Sequence, residues 1–146
     1  MSFLEKMIVL TRQIIIGDPL AEDTQMGPLC TIGQLENIEA EVENAKQEGA
    51  KILVGGKQPE GKSGLFYEPT IIECPNQGLR IVDKELFGPV LCVQRFKTEY
   101  EALSLANDTE HGLAAGIFTQ NSARSLRMAG AVRAGIVWVK DRKSVV

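Results

Sequence analysis

The stretch KELFGPV, Lys84 to Val90, sets a carboxylate at Glu85 and an aromatic ring at Phe87 just before a Gly88-Pro89 corner and the apolar run VLCVQRF. Proline fixes φ and glycine tolerates conformations closed to other residues, so this pair forces a turn. Whatever precedes the turn is held at the entrance of a strand. The remaining reactive side chains are three cysteines, Cys30, Cys74 and Cys92, and a single histidine, His111. A thiol becomes a nucleophile when its pKa is lowered and a base lies within hydrogen-bond reach, and the sequence pairs none of the three with such a base. Cys30 comes nearest, because it stands before a helix cap at Thr31 where the helix N-terminus favours thiolate. Cys74 and Cys92 read as packed thiols. His111 has no nucleophile beside it in sequence and reads as a surface or packing position.

These residues need elements to position them. Leu35, Ile38, Val42 and Ala45 recur at helical spacing between Thr31 and Glu48, with Thr31 and Gln34 spaced as a capping box and Gly49 placed to end the helix. AKILVGG predicts a short strand, and LFYEPTII a second, with Pro69 marking an edge, a bend or a strand start. VLCVQRF follows as a third strand. Thr98 and Glu101 repeat the capping-box spacing before the helical run YEALSLAND, and LAAGIFTQ returns to strand character. Asn121 or Ser122 caps a further helix through Ala134, and Gly135 leads into the strand IVWVK. The opening MSFLEKMIVLTRQIII reads as a helix or a strand approach; Arg12 and Gln13 interrupt its apolar run and no small-residue cleavage site follows. Strand and helix alternate through the second half, which predicts the α/β class with parallel strands joined by crossovers.

Length and composition set the bounds. With 146 residues, 44% hydrophobic and 24% charged, the chain can bury one core, and no repeat or linker divides it. A formal net charge of -3 argues against nucleic-acid binding, and the late Lys140, Arg142 and Lys143 are too few to reverse that. No apolar stretch reaches the roughly 18 to 20 residues of a membrane-spanning helix. The cysteine spacings fit neither a zinc site nor a disulfide framework, so reduced thiols and a cytoplasmic location are expected. Gly112 and Gly116 read as packing positions, since no Gly-x-Gly-x-x-Gly follows a strand.

From GDPLAEDTQMGPL through KELFGPVLCVQRF to ANDTEHGLAAGIFTQNSARSLRMAGAVRAGIVWV, the chain resembles the catalytic domain of the NAD(P)-dependent aldehyde dehydrogenases over nearly everything from Phe3 to Val139. Glu85 to Val90 is similar to that family's Glu-x-Phe-Gly-Pro-Val signature, and Asn107, Gly112 and Leu113 fall where its Asn-x-Thr-x-Tyr-Gly-Leu pattern puts them, with His111 in place of the usual tyrosine. The resemblance implies a three-layer parallel-sheet domain. It also implies that Glu85 accepts hydrogen bonds from the nicotinamide ribose and that Phe87 limits where the ring can go. The residue types agree, because a carboxylate accepts two hydroxyl hydrogen bonds and a phenyl ring offers a flat wall. An isolated Glu-x-Phe-Gly-Pro is more often a solvated carboxylate beside a buried aromatic; the surrounding match is what favours the cofactor role.

In that family a cysteine thiolate attacks the aldehyde, hydride passes to the nicotinamide, and a glutamate activates water for hydrolysis. Both catalytic residues belong to segments upstream of the GDPL stretch, and residues 1–16 contain no cysteine. The expectation is therefore one domain over residues 1–146, a truncated catalytic domain without catalytic residues of its own, with a tail at 140–146 foreign to the fold. NAD or NADP and a small-molecule aldehyde belong to the full-length enzyme; this chain alone is expected to bind no cofactor and to self-associate. A rival from another class is a non-catalytic binding or assembly module built on the same scaffold.

Overall fold

The computed structural model describes residues 2–75 and 78–140. Its first helix, α1 (Phe3–Arg12), resolves the two readings of the opening segment: Ser2 accepts from the Glu5 amide and the Glu5 carboxylate accepts from the Ser2 amide, a complete capping box. Helix α2 (Ile32–Gln47) begins where the spacing predicts, with Thr31 Oγ1 accepting from Gln34 N at 3.2 Å. The return half differs. Gln34 Oε1 accepts from Cys30 N at 3.1 Å, one residue outside the cap, which frees its Nε2 to face elsewhere. Leu35, Ile38, Val42 and Ala45 are all buried, and Gly49, at φ 93°, supplies the left-handed turn after the helix.

Strands β1 (Lys51–Val54) and β2 (Thr70–Glu73), helix α3 (Arg80–Asp83) and strand β3 (Val90–Val93) complete a unit that ends at Arg95. The sheet order is β1-β2-β3, with β2 and β3 parallel. β1 departs from the expected parallel arrangement and pairs antiparallel with β2. The reason is the connection, since residues 55–69 hold no helix to carry a crossover, and an antiparallel return needs none. Pro69 stands immediately before β2 and so removes no hydrogen bond from its middle. Side chains of α2 pack over Tyr67, Ile72, Cys74, Leu79 and Ile81. Buried Thr70 is satisfied, donating to Glu68 O and accepting from Gly56 N.

The second unit begins at Phe96. Thr98 caps α4 (Glu99–Asn107), and Glu101 again returns one residue beyond the cap, to Lys97 N at 2.7 Å. Strand β4 (Ala114–Phe118) runs parallel to β5 (Ile136–Lys140), the crossover between them being α5 (Ser122–Ala131), capped by Asn121. That helix stops before the predicted Ala134, because Asn107 Oδ1 takes the Arg133 amide at 2.7 Å and draws the chain out of the helical path. Parallel pairing across helical crossovers bears out the α/β class. Lys140 pairs with Phe118 as the last residue of β5; residues 141–146, including Arg142 and Lys143 and the rest of the expected foreign tail, lie outside the described residues. Among the described residues no helix is long and apolar enough to cross a membrane.

Candidate cofactor-facing site

Lys84 leaves α3 in an extended conformation, φ -86° and ψ 128°, and from there to Gly88 partly buried and exposed residues alternate through a bending segment. Lys84 is partly buried, Leu86 packs against the core, and Gly88 meets Ile38 of α2. Glu85 and Phe87 take the other parity and are exposed, Phe87 to 70%. The structure thus leaves both predicted site residues exposed on one short segment. An isolated signature of this kind would bury the ring; here the ring faces out.

Three successive turns of α2 hold the inward side. Gln34 Nε2 donates to Phe87 O at 3.2 Å. A Cβ at position 88 would overlap Ile38 Cδ1, so glycine is required there for close approach; its φ is not positive, which corrects the expectation that this glycine serves a special backbone conformation. Lys84 Nζ donates to Asn37 Oδ1 at 2.8 Å and to Glu41 Oε1 at 2.7 Å. Arg80 Nη2 reaches the same Glu41 oxygen at 2.8 Å. Residues 34, 38 and 41 share a face at helical spacing, and 37 adjoins it. Pro89 O accepts from Thr70 N at 2.8 Å, while Gly88 N donates to Leu86 O and Val90 N to Gly88 O, so the corner is tied to β2 as well.

Glu41 was missed by sequence reasoning. It lies in the α2 stripe between Ile38 and Val42, is 3% exposed, and has a buried Oε2 without a partner. A carboxylate at a core position within reach of two cations is the signal that Arg80 and Lys84, four apart, could have supplied.

The thiols fall as packed or peripheral groups. Cys74 is buried and Cys92 half-buried. Their mutual hydrogen bond holds the Cys74 thiol below its ordinary range and, with burial, pushes Cys92 up. Cys92 Sγ also lies 3.6 Å from Ile81 O. Cys30 is exposed at the start of α2. His111 is exposed too, its amide bonded to Thr109 Oγ1, in keeping with a surface position. In the second unit Asn107 is a structural staple, donating to Ala131 O and accepting from Arg133 N, and Gly112 O and Leu113 O receive Gly135 N and Ile136 N. A cleft of about 510 Å3 lies against β4, α4 and α5, with Ala102, Ile117 and Met128 in its wall and Glu99 and Arg124 paired at 3.2 Å on its rim. Glu85 and Phe87 do not line it.

Comparison with known proteins agrees with this scaffold. The chain belongs to the aldehyde dehydrogenase family, whose family model it matches over residues 1–146. It is 48% identical over 139 residues to aminoaldehyde dehydrogenase 2, peroxisomal, of Pisum sativum, and 45% identical over 139 residues to betaine aldehyde dehydrogenase, chloroplastic, of Atriplex hortensis. In both cases the match covers 94% of this chain and 28% of the relative. Among solved structures, the betaine aldehyde dehydrogenase of Staphylococcus aureus in complex with NAD+ superposes with a TM-score of 0.91 at 41% identity, over 95% of this chain and 28% of that one. The chain therefore spans little more than a quarter of the length of these relatives.

Proposed function

We propose that the chain forms part of an enzyme that oxidises a small aldehyde to a carboxylic acid with NAD(P), and that its own contribution is a wall at the nicotinamide end of the cofactor. The observation that carries this reading is the exposure of both Glu85 and Phe87 on a segment anchored from behind by α2. An exposed carboxylate two residues from an exposed ring fits a ribose carrying a planar base: the carboxylate accepts from the hydroxyls and the ring bounds the base. The bound cofactor would supply the hydride acceptor. Glu85 and Phe87 would orient it, and Leu86 and Gly88 would keep that orientation by packing inward.

The relatives favour NAD as the dinucleotide and an aminoaldehyde or betaine aldehyde as the substrate class. None of Cys30, Cys74 and Cys92 serves as the nucleophile, and the chain by itself is inactive. The exposed Phe118, Leu113 and Trp138 weigh against a self-sufficient binding module and towards a segment that meets other protein surface. Free thiols accord with a cytoplasmic location.

The test is a titration of the isotopically labelled chain with NAD, followed by amide resonances. Shifts should centre on Glu85 to Gly88, shrink in Glu85→Gln, and fail to saturate at ordinary concentrations, because two groups cannot offset the cost of immobilising a dinucleotide. Saturation in the micromolar range, or shifts confined to residues 96–140, would overturn the assignment.

A further inference from the structure

We propose that Glu41 is the positioning residue of the cofactor-facing segment: its carboxylate fixes Lys84 and thereby sets the direction in which Glu85 and Phe87 point. The inference rests on the reading of those two residues as cofactor contacts.

A carboxylate in the middle of an apolar helix face needs a physical reason. Ile38, Val42 and Ala45 surround the position, and an apolar side chain there would avoid the desolvation that a buried charge incurs. What Glu41 obtains in exchange is specific. Arg80 opens α3, Lys84 follows its last residue, and both end on Oε1, at 2.8 and 2.7 Å. Lys84 is the residue that precedes Glu85, and Asn37 Oδ1 holds the same Nζ from the preceding turn of α2. Lys84 itself is extended, so holding its side chain inward turns the next residue, Glu85, outward, and burial alternates from there through Phe87. The far end is fixed as well, through Gln34 Nε2 on Phe87 O. Between the two anchors lie only Glu85 and Leu86, and Leu86 is packed inward. The segment has no slack, so the aim of the two exposed side chains follows from the hold on Lys84.

A role confined to stapling α3 onto α2 would use the same bonds, and the experiment separates the two. Hydrogen exchange reads the Gly88 amide, bonded to Leu86 O at 2.8 Å, as the local reporter and the Cys74 amide, bonded to Val93 O at 2.9 Å, as the core reporter. In Glu41→Gln, exchange at Gly88 should rise by about tenfold with Cys74 unchanged, because a local opening need not involve the core. Trypsin should begin to cleave after Lys84, whose side chain is released. Glu41→Asp should restore part of the protection. Should Glu41→Gln fail to fold, Lys84→Met keeps the Arg80 pair and should loosen the same amide. Wild-type protection at Gly88 in these variants, or equal acceleration at Gly88 and Cys74, would overturn the positioning role. A saturation-transfer arm follows NAD against the Phe87 ring: transfer in the wild type that falls in Glu41→Gln supports both readings. Absence of transfer in a wild type with a protected segment would sink the cofactor reading while leaving the hold of Glu41 on Lys84 supported.

Discussion

Gly88 lies so close to Ile38 Cδ1 that a Cβ at position 88 would overlap that methyl. Backbone thus meets side chain without an intervening group, and the corner after Phe87 is seated on α2. Gly88→Ala should destabilise the chain by about 1–3 kcal/mol, the usual cost of forcing a methyl into a packed interior. Ile38→Val removes Cδ1, so the double variant should lose less than the sum of the two singles, as contacting residues do. Urea unfolding of the four proteins measures the coupling. Strict additivity would mean that the two residues do not meet.

The sequence made the α2 stripe legible because Leu35, Ile38, Val42 and Ala45 carry a helical period, and caps at Thr31, Thr98 and Asn121 declared their helices. The exposed parity of Glu85 and Phe87 was readable only as the family signature. What escaped notice was the support behind it, because the partners of Lys84 and Phe87 lie 43 to 53 residues away along the chain. Long-range side-chain pairing leaves no local pattern. α3, a helix of 4 residues, is likewise too short to show a period.

Tyr67 offers a pH test of the core. Burial, at 2% exposure, pushes its phenol up to about 12, with Glu39 and Glu68 adding to the effect. The folded value exceeds the unfolded value of about 10, so the native state holds its proton longer and stability falls as pH rises between the two. The contribution is fully present below about pH 10, and its loss by about pH 12 is of order 3 kcal/mol. Tyr67→Phe should flatten the alkaline slope in unfolding curves collected across that window. An unchanged slope would place the phenol in water.

Ile136 and Trp138 on β5 share a register with Ala114 and Gly116 on β4, and Phe118 continues that row, leaving aromatic surface exposed on one face of a two-stranded sheet. Such a face promotes association. Light scattering across a concentration series should show mass rising with concentration, and Trp138→Lys should reduce it. A monomer at high concentration in the wild type would count against the expected self-association.

The central claim is that this chain supplies the wall facing nicotinamide while the thiol that attacks the aldehyde is none of its own. Its most direct test is NADH formation, followed at 340 nm with NAD and an aminoaldehyde, betaine aldehyde and an aromatic aldehyde. It compares wild type with the variant in which Cys30, Cys74 and Cys92 are all serine. Cys74 and Cys92 are free thiols, buried and half-buried, and Cys30 lies at the surface beside the α2 cap. No absorbance change is expected with either protein. Turnover in the wild type that disappears with Cys30→Ser would contradict that expectation and make Cys30 the nucleophile.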